Sequence, residues 1–184
     1  MLQNCISGFT GPLLRQICDK STVHGLLSGF FNRVKINLMK ILYTAEATVQ
    51  GGREGTIQTR DGQLTLQLST PKGLGGPGLT ATNPEELFAA GYAACFQSAL
   101  QGVAFRNKTP LPKEGTITAH VGIGKLDNGT FSLAVDMQLY LPGMDQTLAE
   151  ELVEKAHHIC PYSNATRGNI EVKFVVETQE KVEG

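Results

Sequence analysis

The sequence contains no tryptophan and little charge: only 18% of its 184 residues are Asp, Glu, Lys or Arg. Neither sign dominates, with 16 basic against 17 acidic groups and a formal net charge of −1. A field that weak attracts neither nucleic acid nor an anionic membrane surface, so neither is expected as a partner. Four cysteines are too few for a disulfide scaffold at this length. With 41% hydrophobic residues the composition is that of a globular protein rather than a disordered one. The length suits one domain with a sizeable core and is too short for two.

One uncharged run, Leu87 to Phe105, is 19 residues long and so reaches membrane-spanning length. Its Ala, Gly, Gln, Ser and Tyr content makes it only mildly apolar. The expectation is therefore a helix buried on all sides in a soluble core. Its start is marked at Thr82-Asn83-Pro84-Glu85-Glu86: a capping side chain, a proline in the first turn, and acids where the helix dipole favours them.

Charge also divides the chain. Residues 1–38 hold four cations (Arg15, Lys20, Arg33, Lys35) against Asp19, a net of +3, which leaves 12 basic and 16 acidic groups beyond them, a net of −4. Residues 1–38 therefore read as an extension of unclear role, an organelle presequence or an upstream or expression-derived segment, and residues 39–184 as a single domain. A cytoplasmic protein is expected unless that extension is a presequence.

Within the domain, Lys40 to Val49 alternates as a strand, and a second run reaches Thr59. Asp61-Gly62 turns the chain into a third, on which Leu64, Leu66 and Leu68 share a face. The Gly-rich run at 73–78 lacks the Gly-Lys-Ser/Thr of a phosphate cradle. Two longer strands, Thr116–Lys125 and Thr130–Leu141, flank Asp127-Asn128-Gly129. Thr147 and Glu150 form a capping box for a helix with Leu148, Leu152, Ala156 and Cys160 on one face, stopped by Pro161. A strand from Ile170 to Glu177 closes the pattern.

Cys5 and Cys18 fall in the extension and carry little weight. Cys95 and Cys160 stand too far apart for a metal knuckle, and the neighbouring His157 and His158 read as a solvent-facing pair before they read as ligands. A cysteine in an Ala-rich helix is by default a small core hydrophobe; reactivity needs access and a stabilised thiolate. Arg53, in a Gly-flanked loop, and Glu85, at the helix start, are charged groups that a fold can aim at a buried thiol.

Three runs, GGREG at 51–55, TNPEELFAAGYAACF at 82–96 and CPYSNATRGN at 160–169, resemble the organic hydroperoxide resistance subfamily of the Ohr/OsmC family. The resemblance implies an α+β fold in which two central helices are wrapped by about six mostly antiparallel strands of an intertwined homodimer. It implies a thiol peroxidase with Cys95 peroxidatic, Cys160 resolving, Arg53 stabilising the thiolate and Glu85 holding Arg53. The Cys95 sulfenic acid would close a disulfide with Cys160, reopened by a dithiol such as a lipoylated protein, with no cofactor and no metal. Tyr162, Asn164 and Arg167 share the Cys160 motif and read as shaping the loop or the dimer. Two alternatives stay open: an OsmC-type peroxidase of broader peroxide preference, and a nonenzymatic thiol redox sensor.

A geometric expectation follows from helix dimensions. On one continuous helix Glu85 and Cys95 lie roughly 15 Å apart along the axis and roughly 80° apart around it, whereas an Arg–carboxylate bond spans only ~3 Å. Arg53 then cannot meet both in one chain. The site is expected to be completed across a dimer interface by Glu85 of the other subunit, with Gly91, Ser98, Ala99 and Gly102 permitting close helix packing.

Overall fold

In a computed structural model, residues 39–179 are described, so the extension 1–38 lies outside the described residues. The first strand is shorter than its pattern: β1 spans Ala47–Gln50, and Lys40 to Tyr43 stays exposed outside any sheet. The reason lies in its partner. β2 (Thr56–Thr59) pairs antiparallel with β1 and ends with Thr59 opposite Ala47, so nothing in β2 remains to hydrogen-bond the earlier residues. Gly62, at φ +72°, then makes the turn into β3 (Thr65–Gln67), which pairs with β2. None of the residues in these three strands is buried, although Ile57, Leu64 and Leu66 are partly covered.

The chain leaves β3 through Leu68 and Ser69, both buried. Ser69 N–H donates to Thr82 C=O, which ties the small sheet to the start of α1 (Pro84–Arg106). That helix starts where the sequence places it. Asn83 is the N-cap, its Oδ1 accepting from Glu86 N–H at 2.9 Å, with Pro84 next and two acids in the first turn. The helix is not buried on all sides as its composition leads one to expect. Tyr92, Phe96, Leu100, Val103 and Ala104 form one buried stripe, while Ala90, Ala94, Ser98 and Gln101 face outward and Phe105 is 85% exposed. Lack of charge therefore does not mean burial within one chain; small residues line the open face.

Two ten-residue strands, β4 (Thr116–Lys125) and β5 (Phe131–Tyr140), form an antiparallel hairpin whose turn uses Gly129 at φ +82°. β6 (Glu171–Glu177) pairs with β5 in parallel, the one parallel strand pair among the described residues of a mostly antiparallel α+β fold. Strict alternation gives this sheet one apolar face, with Ala119 opposite Met137 and Phe174, and Val121 opposite Val135 and Val172. α1 packs on that face.

α2 (Gln146–Ile159) packs against α1, but its start and buried face differ from the sequence reading. Asp145, not Thr147, is the cap, its carboxylate accepting from Leu148 N–H at 2.9 Å. The buried residues are Ala149, Leu152, Val153 and Ala156, with Leu148 36% exposed, because the i, i+3, i+4, i+7 spacing of 149, 152, 153 and 156 centres the buried stripe to one side of Leu148. Pro161 ends α2 and also begins the short α3 (Pro161–Thr166), the two meeting at Cys160 in an extended conformation. Leu152→Ala is expected to lower unfolding free energy by about 2–5 kcal/mol and Leu148→Ala by clearly less. Urea denaturation of both checks this, and equal losses would restore the other register.

Candidate active site

The loop that carries Arg53 is built by glycine. After Gly51 at φ +82°, residues Gly52–Glu54 make one 3-10 turn, and at Gly55 a Cβ would stand 1.7 Å from Gln50 C=O, which no other residue survives. Glu54 pins the loop by accepting from Thr70 N–H at 2.8 Å, and Gln67 Nε2 donates to Gly55 C=O at 2.8 Å. Hydrogen bonds from Thr70 first, and from Ser69, hold the Glu54 carboxyl below its usual range. So anchored, Arg53 reaches the first turn of α1 and meets Glu85 of the same chain in a two-pronged ion pair, Nη1 to Oε2 at 2.8 Å and Nη2 to Oε1 at 2.6 Å. The Glu85 side chain is 12% exposed, and the Arg53 hydrogen bond holds its carboxyl below the ordinary carboxylate range against the opposing effect of burial.

The thiols lie elsewhere, Cys95 further along α1 and Cys160 at the junction of α2 and α3. The Cys160 and Cys95 sulfurs stand 3.7 Å apart, both reduced, with Cys160 fully buried and Cys95 half-buried. A disulfide needs the sulfurs to approach to about 2.05 Å, so a shift of about 1.7 Å closes it. Burial pushes the Cys95 thiol up, Cys160 pushes it further, and the Tyr162 backbone amide acts in the other direction. Neither Arg53 nor Glu85 makes a hydrogen bond or ion pair with Cys95 in this chain. The helix runs unbroken from Pro84 through Cys95, so the separation set by helical rise holds, roughly 15 Å along the axis.

Four side chains chosen from sequence thus form two pairs, and the structure brings together Arg53 with Glu85 and Cys95 with Cys160. The sequence reading missed what docks α3 against α1. Tyr92 Oη lies 2.9 Å from Ser163 Oγ and 3.3 Å from Thr166 Oγ1, all three residues buried. The available signal was a lone Tyr in an otherwise small-residue stretch, whose buried hydroxyl requires a polar partner. Arg167 does shape the loop, donating to Asn164 Oδ1 at 2.9 Å and to His157 C=O at 2.8 Å. Gly91, expected to admit a neighbouring helix, is instead covered by Tyr162 of the same chain. His158 pairs with Glu154 at 3.1 Å, and the His157 ring packs edge-on against Phe174.

Against this geometry the comparisons with known proteins are decisive. The family described as OsmC-like protein matches residues 75–175, a span that contains Glu85, Cys95 and Cys160. The chain belongs to this OsmC-like family, on its organic hydroperoxide resistance branch. It is 54% identical over 137 residues to the organic hydroperoxide resistance protein of Xanthomonas axonopodis pv. citri, covering 74% of this chain and 96% of that protein. Organic hydroperoxide resistance protein OhrB of Bacillus subtilis is 44% identical over 134 residues, 72% of this chain and 96% of its own. An organic hydroperoxide resistance protein from Elizabethkingia anophelis, solved by crystallography with thiocyanate bound, superposes with a TM-score of 0.72 at 51% identity. It covers 77% of this chain and all of that one.

The Arg53–Glu85 pair makes stability depend on pH with a definite sign. A carboxyl whose folded pKa is depressed stabilises the fold above its unfolded value, about 4.3, and that contribution is lost as pH falls through the folded value. Glu85→Gln is therefore expected to lower the unfolding midpoint at neutral pH and to converge with the parent chain in acid, below the ordinary carboxylate range. Denaturation at several pH values measures it; a constant difference across that range would mean that the charge of Glu85 is irrelevant.

Proposed function

We propose that the chain is a cysteine-based peroxidase that reduces organic hydroperoxides to alcohols. The observation that carries this reading is a reachable thiol, Cys95, set 3.7 Å from a buried one, Cys160. The names of the organic hydroperoxide resistance relatives support the substrate class. Access assigns the roles: peroxide meets Cys95 first, and Cys160 waits behind it. The Cys95 thiolate attacks the distal peroxide oxygen, the O–O bond breaks, and the alkoxide leaves with a proton as alcohol, giving a sulfenic acid. The Cys160 thiolate then attacks that sulfur, the S–O bond breaks, water leaves, and a disulfide forms. An external dithiol, in our reading a lipoylated protein, takes the oxidising equivalents and restores both thiols.

The reaction needs a thiolate, and within one chain burial favours the thiol. We infer that the missing cation comes from a second copy, as a homodimer in which one protomer's Arg53–Glu85 pair faces the other's Cys95. Three features support a covering partner: the exposed small-residue side of α1 with Phe105, the unburied β1–β3 sheet, and β4 as an unpaired edge strand. Because Arg53 already holds Glu85 of its own chain, the pair would move as one unit rather than Glu85 alone crossing the interface.

Two experiments test this. Cys95→Ser is expected to abolish reduction of cumene hydroperoxide with dihydrolipoamide as reductant, and Cys160→Ser to allow one oxidation but no recycling by that dithiol. Many turnovers mark an enzyme, whereas one stoichiometric oxidation would make the chain a redox sensor instead. Mixing Cys95→Ser with Arg53→Ala protomers under full exchange is expected to yield hybrids with one intact site, and so more activity than either variant alone. No gain would place all four residues of a working site in one chain.

A further inference from the structure

Tyr162 shares its run with Cys160, and the reaction above leaves its side chain without a part. Its ring, in a residue 39% exposed, lies over Gly91, where an added Cβ would stand 3.1 Å from the hydroxyl and 3.4 Å from the ring edge. Gly91 precedes Cys95 by four residues, one turn back on the same face of α1. Phe88 and Tyr92 flank the same ring at centroid distances of 6.0 and 5.6 Å. The ring is thus seated in a gap that only glycine leaves. Along the chain, Tyr162 is separated from Cys160 by Pro161 alone, and proline's fixed φ makes that link stiff. The seat of the ring and the Cys160 backbone are therefore stiffly linked.

We propose that Tyr162 is a positioning residue whose ring, seated over Gly91, holds the Cys160–Pro161–Tyr162 turn so that the Cys160 sulfur and the Tyr162 amide both stay on Cys95. The Tyr162 amide acts to lower the Cys95 pKa, against the effect of burial. Losing the seat therefore affects two properties together: the ease of forming thiolate at Cys95 and the reach of Cys160. The catalytic meaning of both rests on the peroxidase reading, but neither property needs a peroxide to be measured.

The experiment uses the full-length chain as Gly91→Ala and as the double variant Gly91→Ala/Tyr162→Phe, which deletes the atom nearest the new methyl. Cys95 alkylation by iodoacetamide is followed against pH by mass spectrometry of its peptide. The Cys95–Cys160 disulfide is equilibrated with mixtures of reduced and oxidised dithiothreitol, two thiols and one disulfide on each side exchanging a pair of electrons. Gly91→Ala is expected to move the alkylation midpoint to higher pH and to disfavour the disulfide about tenfold, equal to about 30 mV for this two-electron couple. The double variant is expected to return both values toward those of the parent. Parent-like values in Gly91→Ala, or no recovery in the double variant, would overturn the proposal. Should Gly91→Ala fail to fold, Tyr162→Ala replaces it, with both shifts expected and their absence again overturning it. A chain that shows these shifts yet never turns over hydroperoxide would refute the peroxidase reading alone.

Discussion

The continuity of α1 governs the rest of this structure. The helix carries Glu85 in its first turn and Cys95 nearly three turns later with no break between them. Whatever is attached to Glu85 is therefore held away from Cys95 of the same chain. Arg53 is attached there, by a two-pronged ion pair on a loop that Glu54 pins to Thr70. The small β1–β3 sheet is thereby tied to α1 by that pair and by the Leu68–Thr82 link, while burying almost nothing of its own. The dimer proposed above would cover that sheet.

At Cys95 the same helix is gripped from the other side. Tyr92 sends its hydroxyl into a buried group with Ser163 and Thr166, and its ring meets those of Phe88 and Tyr162. Each hydroxyl there can both donate and accept, so the cluster is satisfied internally and docks α3 in one place. Since α3 begins immediately after Cys160, that docking brings the second sulfur to α1. Ordinary core packing thus brings the Cys160 segment to the helix, alongside the Tyr162 contact.

Much of the fold was legible because the signals were local. Asp61-Gly62 and Asp127-Asn128-Gly129 each place glycine where φ must be positive, and Asn83-Pro84 marks a helix start by capping chemistry. The errors came where a local pattern needed a partner to be read. Lys40 to Glu46 alternates like a strand but lies beyond the end of β2. The uncharged run predicts a helix buried all round, whereas one chain supplies neighbours for only one stripe. Asp145 caps α2 two residues ahead of the Thr147–Glu150 box, because a carboxylate at the true entry outcompetes a pattern set inside the helix. The site shows the same division. The family resemblance of three short runs pointed to all four members, while the Arg53–Glu85 and Cys95–Cys160 pairings as distances belong to tertiary packing, and the Tyr92 cluster left only a faint trace.

A carboxylate beside the arginine comes at a cost, since Glu85 offsets part of the charge that a thiolate would use. A guanidinium has five N–H donors, and the two bonds to Glu85 occupy one on each Nη, leaving three. An unpaired arginine side chain on a glycine-built loop would sample many rotamers, and fixing one of them on approach to a thiolate would cost entropy at that moment. The ion pair meets that cost in advance. It also sets the plane of the guanidinium, so the remaining donors point in a defined direction from the start of α1. A directed donor acts through short hydrogen bonds, whose strength falls steeply with misalignment, whereas a diffuse positive charge is screened within a Debye length of about 8 Å in physiological salt. If the pair faces a Cys95 sulfur across an interface, as proposed, orientation rather than net charge is what Glu85 contributes.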